Sequence, residues 1–277
     1  MKKLVSLLIL SVSLFTLSAC GKKEEPSSTP ESEASSGKEM TFSEYFDQSK
    51  NKTQIWYRVR ADEDGIGKDT GISIAYVFKN NKVTKYDEFE ITLGDVARMD
   101  DSEIIKEMKE QTTEHEESKL EENIGNAEET IRNRESNPAE KENIDLFTEQ
   151  LNSLKDSDIY LPKPSKYKFS IYTDTTGNNT VSEKISFTFR RQELAYLRID
   201  ESAEKDTVVE TQLVDDDEEI TFSGPSVLRG TTIYDAKYIT VNTDNDCFLL
   251  CRDNKMPPLV FDEPDTKDKN VKVDPKD

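Results

Sequence analysis

Gln54-Ile55-Trp56-Tyr57-Arg58-Val59-Arg60, followed by Ile72 to Phe89 (ISIAYVFKNNKVTKYDEF), decides the fold class. Ile55, Tyr57 and Val59 alternate with Trp56, Arg58 and Arg60. Ile72, Ile74, Tyr76 and Phe78 then repeat at period two, which places them on one face of a second strand. Asn80-Asn81 breaks the pattern, and Val83 starts a third run that reaches Phe89 and Ile91. Asparagine tolerates the left-handed backbone of a tight hairpin turn, so this zone, 54–93, predicts antiparallel strands.

Going outward, the period changes. From Asp95 to Asp156 the apolar residues step by three and four, as on a helix face. Asp101 or Ser102 can cap a helix carrying Ile104, Ile105 and Met108. Leu120, Ile124, Ala127 and Ile131 continue it. After Asn137-Pro138, a cap followed by proline at the first helical position, Ile144, Phe147, Leu151 and Leu154 form a second stripe. Both stripes are narrow, so an antiparallel helical pair is expected, lying on the sheet or projecting from it. This zone, 95–156, holds 19 acidic and 8 basic residues, a net of −11. It reads first as a solvated acidic face and second as a docking surface for a basic protein or envelope partner.

From 159 to 261 the period returns to two. Tyr167, Phe169 and Ile171 alternate with polar residues, as do Ile185, Phe187 and Phe189. Further strands are expected at Leu194–Ile199, Thr207–Val214, Glu219–Phe222, Tyr238–Asn242 and Cys247–Cys251. Trp56 to Phe78 and Tyr167 to Phe189 share a constant offset of 111, compatible with related modules and with two unrelated hairpins. A short helix is expected at Ser43 to Gln48. The prediction is an α+β domain, residues 41–262, in which a helical pair is inserted between two antiparallel β zones. The segment 263–277, rich in Asp, Lys and Pro, reads as a solvated tail.

The first forty residues differ in kind. Lys2 and Lys3 precede an apolar run, Leu4 to Leu17, too short for a comfortable membrane span and right for a signal-peptide core. The run ends Leu17-Ser18-Ala19-Cys20-Gly21, which resembles the lipobox of bacterial lipoproteins. That resemblance implies cleavage before Cys20, with Leu17, Ser18 and Ala19 as the recognition residues, and attachment of lipid to the Cys20 thiol. Two acyl chains give stable anchoring at the outer face of the cell membrane. Residues 20–40, rich in Ser, Glu, Pro and Lys, read as a disordered stalk. Lipobox and stalk together are similar to lipoproteins of Gram-positive bacteria. Ile55-Trp56-Tyr57, Gly67-Lys68-Asp69, Ala75 to Asn80 and Leu93-Gly94-Asp95 resemble uncharacterised lipoproteins of streptococcus-like bacteria, which have no known activity to carry over.

The chain has 277 residues, 57 acidic against 37 Lys plus Arg, and a formal charge of −20. Cleavage before Cys20 removes two lysines and no acid, leaving −22. Such a charge argues against nucleic acid as a partner, because that binding needs basic patches. One His and three Cys leave little for zinc or His-dependent catalysis. His115, between Glu114 and Glu116, reads as a surface residue of the acidic helix. Cys247 and Cys251 lie too far apart on a straight strand to bridge and close enough on a helical turn. Buried free thiols are the leading expectation, with a disulfide as the alternative. Asp62, Asp64 and Asp69, interleaved with glycines, form a weak calcium-loop candidate lacking the bidentate Glu of an EF-hand; an ordinary polar turn is the leading reading. The acidic run Asp215 to Glu219 reads as a hairpin turn. Phosphate loops, nucleophile elbows and His-based metal motifs are missing, so no catalytic residue and no cofactor is expected. The expectation is a tethered, non-enzymatic binding module. A carboxylate-using envelope hydrolase and a phage-exclusion or immunity lipoprotein are the alternatives.

Overall fold

The computed structural model describes residues 38–63, 65–135, 141–197, 207–223, 229–244, 247–255, 257–265 and 271–275. The strands are β1 (Met40–Thr41), β2 (Gln54–Arg60), β3 (Ile72–Lys79), β4 (Lys82–Tyr86), β5 (Ser165–Thr173), β6 (Thr180–Leu197), β7 (Thr207–Ser223), β8 (Arg229–Ile233), β9 (Ala236–Asp244), β10 (Cys247–Arg252), β11 (Leu259–Val260) and β12 (Val271–Pro275). The helices are α1 (Phe42–Asp47), α2 (Leu93–Val96), α3 (Asp101–Arg134) and α4 (Lys141–Lys155). Helix makes up 31% and strand 43%, an α+β architecture with the long helix between strand zones.

Three antiparallel meanders join edge to edge in the order β7-β6-β5-β4-β3-β2-β10-β9-β8. The seam between the first two is short, Lys82 and Val83 against Lys166 and Ser165. There the sheet folds over, so that β2, β3, β9 and β10 face β5, β6 and β7 across one apolar core. Tyr76 meets Phe187 edge-on at 6.1 Å between ring centroids, and Phe78 meets Tyr167 at 5.3 Å. Helix α1 plugs one end of this inner core with Phe42, Tyr45 and Phe46. It starts at Thr41, whose side chain accepts from the Glu44 N–H while the Glu44 carboxylate accepts from the Thr41 N–H.

The opposite face of β2 and β3 is also covered. Ile55, Tyr57, Val59, Ala75 and Val77 form an outer core with Leu93, Val96, Ile104 and Met108. Because both faces are buried, Trp56 belongs to the inner core, and the alternation in β2 separates two cores rather than core from solvent. Ile72 corrects the expected single face. Pairing slips between Arg58 and Val59, leaving Ser73 as the extra residue, so Ile72 joins the outer core while Ile74, Tyr76 and Phe78 face the inner one. The third strand ends at Tyr86, not at Phe89 or Ile91; Ile91 is held in a loop by the Ile72 N–H at 2.9 Å.

The Asn80-Asn81 turn has φ of 54° and 56°, as the sequence predicts. Tyr234-Asp235 makes the same turn between β8 and β9 with residues that do not announce it. Gly94 is needed for close approach: a Cβ there would lie 2.8 Å from the Lys68 carbonyl oxygen. The α3 cap is Asp100, not Asp101 or Ser102; its Oδ1 accepts from the Ser102 and Glu103 amides at 2.8 and 2.9 Å. Asn137-Pro138 lies outside the described residues. Ala127 of α3 and Phe147, Leu151 and Leu154 of α4 are buried, as the stripes predict.

Two expectations are corrected downstream. β7 is continuous through Asp215 to Glu219, which is therefore strand and not a turn. The acids are stabilised there by partners on β6: Arg190 with Asp215, Arg191 with Asp216, Lys184 with Glu219. The tail is not wholly solvated: Val271–Pro275 pairs in parallel with Phe169–Thr173 of β5. Alternating valines supply β propensity, and the short β4 seam leaves that edge of β5 open. The hairpins 111 residues apart share register, Trp56 facing Tyr76 and Tyr167 facing Phe187. They differ in that β3 turns at Asn80 while β6 runs straight on.

Candidate functional site

Residues Leu17, Ser18, Ala19 and Cys20 lie outside the described residues, as does Asp64. Asp62 forms a β-bridge with Gly65. Asp69 is engaged by the Lys68 ammonium. Among the described residues no group of three or more His, Cys, Asp or Glu side chains converges. His115 lies half-exposed on α3, its Nε2 3.2 Å from Glu88 Oε2.

Cys247 and Cys251 are free and buried on β10. Burial pushes the Cys251 thiol up to about 12. Tyr45 Oη donates to Asp253 Oδ2 at 3.0 Å, and Lys52 Nζ reaches the same oxygen at 3.3 Å. The row Cys251, Tyr45, Asp253 has the order of a catalytic relay, but a thiol that stays protonated is no nucleophile. The row anchors α1 to β10.

The inner core opens at the end away from α1 into a pocket of about 140 Å³ between β2, β3, β9 and β10 on one side and β7 on the other. Ile220 and Leu249 give it an apolar floor. Above them stand Arg58, Tyr76, Thr221 and Thr243, with Glu218 and Glu219. Tyr76 Oη donates to Glu218 Oε1 at 2.9 Å, and Lys85 Nζ reaches Glu218 Oε2 at 2.9 Å. Burial and the Glu218 charge raise the Tyr76 phenol well above its ordinary range. Lys85 is nearly enclosed and stacks over the Phe189 ring at 4.2 Å.

A second groove, of about 90 Å³, lies on the far side of Lys85, between the α3 residues Thr112, Glu116 and Lys119 and the β6 residues Phe189 to Gln192. Burial raises the Glu116 carboxyl, with the Glu88 and Asp87 charges adding to the rise and Lys119 and His115 opposing it.

The solvent face of α3 carries one line of carboxylates, Glu103, Glu107, Glu110, Glu114, Glu117 and Glu121, spaced four, three, four, three and four. They lie opposite the face that buries Ile104, Met108 and Thr112. Residues of the sequence reading thus contribute the acidic face, while the pocket around Arg58 was missed; its members come from five strands and carry no local motif. No known protein family, curated protein or solved structure matches this chain.

Proposed function

We propose that the protein is a lipid-anchored surface lipoprotein that acts as a non-enzymatic binding module, presenting α3 to a basic protein or envelope partner outside the cell membrane. The acidic line on α3 carries this reading. Like charges at these spacings cost a helix about 0.2–0.5 kcal/mol per neighbouring pair. The five steps from Glu103 to Glu121 therefore give up at most about 1–2.5 kcal/mol, less what Lys106 returns at Glu110, and a basic partner would return the rest. The anchor part rests on Leu17 to Cys20. β1 begins at Met40, so a fully extended linker from Cys20 reaches at most about 70 Å.

Replacing Cys20 with Ala should move the protein from the membrane fraction to the medium. Retention through an alkaline wash would refute the anchor. In-cell crosslinking of the triple variant Glu114→Gln, Glu117→Gln, Glu121→Gln should lose partners captured by the parent chain. Unchanged capture with α3 still folded would refute the docking face. The carboxylate-hydrolase reading has Glu116 to rest on, a raised carboxyl lining the second groove. It would require that Glu116→Gln abolish turnover of an envelope glycan.

A further inference from the structure

The pocket around Arg58 has an unbalanced charge. The chain holds 57 acidic residues against 37 Lys plus Arg, so cations are the scarce species. Those near the pocket are spent on nearby carboxylates: Lys85 on Glu218 and Asp87, Lys184 on Glu219. Arg58 is the exception. Its guanidinium faces the Tyr76 phenol and the Cys247 thiol. Among the described residues no carboxylate bridges to it. It sits half-buried on β2, two residues from Trp56 on the same strand face. A half-buried cation without an anion is an unfavourable arrangement that an anion would relieve.

The rest of the pocket selects which anion. Arg presents a planar fork of donors that matches a carboxylate in two parallel hydrogen bonds. Beneath it, Ile220 and Leu249 offer apolar contact. Lys85 and Lys184 are already held by Glu218 and Glu219, so a second negative charge on the ligand would find these neighbouring cations paired. At about 10–15 Å³ for each water position, 140 Å³ accommodates a molecule of up to about ten heavy atoms. We propose that this pocket binds a small monocarboxylate with a short apolar tail, its carboxylate on Arg58 and its tail over Ile220 and Leu249. This site is separate from the α3 face and does not depend on the anchor.

Butyrate is the probe, titrated into the full-length chain at constant ionic strength. Trp56, the single tryptophan, reports through its fluorescence, and thermal unfolding gives a second readout. A saturable fluorescence change with a rise in melting temperature is expected. Inorganic phosphate, which carries more charge, should give neither. Arg58→Gln should abolish the butyrate response, and Arg58→Lys, which keeps the charge and loses the fork, should weaken it by about tenfold. If Arg58→Gln does not fold, the Lys variant decides. No saturable response to butyrate, an equal response to phosphate, or unchanged affinity in Arg58→Lys would each overturn the proposal. None of these outcomes bears on membrane release of the Cys20 variant.

Discussion

Glu183 and Asp262 bring two acidic side chains together where α1 closes the inner core. The Asp262 N–H donates to Glu183 Oε1 at 2.5 Å. Asp262 itself accepts from Ser43, Oδ2 from the amide at 2.9 Å and Oδ1 from the hydroxyl. Glu183 is fully buried; its strand neighbours, Ile171 on β5 and Phe222 on β7, bring no charge. Burial pushes its pKa from 4.5 up to about 9; the Asp262 carboxyl adds to the rise and the Asp262 amide opposes it. Between those values the folded chain keeps a proton that the unfolded chain has released. Stability due to this group is therefore complete below pH 4.5 and falls as pH rises toward 9, by up to about 1.4 kcal/mol per pH unit. Gln at 183 cannot ionise. Urea unfolding at pH 5 and pH 8 should show Glu183→Gln losing less stability than the parent over that interval. Parallel pH profiles for the two chains would contradict this assignment of the proton.

Elements are joined by residues that lie far apart in the chain. Arg252 on β10 donates Nη1 to the Val96 and Met99 carbonyls at 3.0 and 2.7 Å, and Nη2 to Asp101 Oδ1 at 2.8 Å. It thereby satisfies carbonyls at the end of α2 and ties the first turn of α3 to the sheet. Arg252→Met should cost about 2–3 kcal/mol, and Arg252→Lys should recover only part of that because an ammonium cannot reach three acceptors in this fork. The urea midpoints of the two variants measure both. Contacts of this kind separate what was legible in the sequence from what was not. Period-two alternation located β2, β3, β5 and β6, and period 3.6 located α3 and α4, because each pattern is written within a few residues. The acids of β7 read as a turn because their reason to be in a strand lies on β6, with Arg190 and Lys184 some 25 to 35 residues earlier. The pocket was invisible for the same reason. Arg58 looks like the polar half of an alternating strand until β7 is seen to fold over it.

For the molecule as a whole, the two kinds of electrostatics have opposite signs. Local pairs such as Lys184 with Glu219 and Lys155 with Glu128 are attractive, and added salt weakens them. Exposed pairs are worth at most about 1 kcal/mol each, so that loss is small. The excess of negative charge, −20 in total and concentrated on the helical zone, acts over longer range. At about 10 mM salt the screening length is about 30 Å, so carboxylates on α3 and β7 repel one another well beyond contact distance. At about 150 mM it shrinks to about 8 Å and only neighbours interact. Relief of repulsion should therefore win. The melting temperature of the full-length chain should rise by about 2–5 °C between those concentrations of NaCl, which corresponds to about 1 kcal/mol for a fold of this size. KCl should act alike, since screening depends on ionic strength and not on the ion. The triple variant Glu114→Gln, Glu117→Gln, Glu121→Gln should start higher and rise less, because it has removed part of the repulsion in advance. A melting temperature that falls with salt would place the local pairs above the net charge and would remove the energetic argument for α3 as an acidic face awaiting a basic partner.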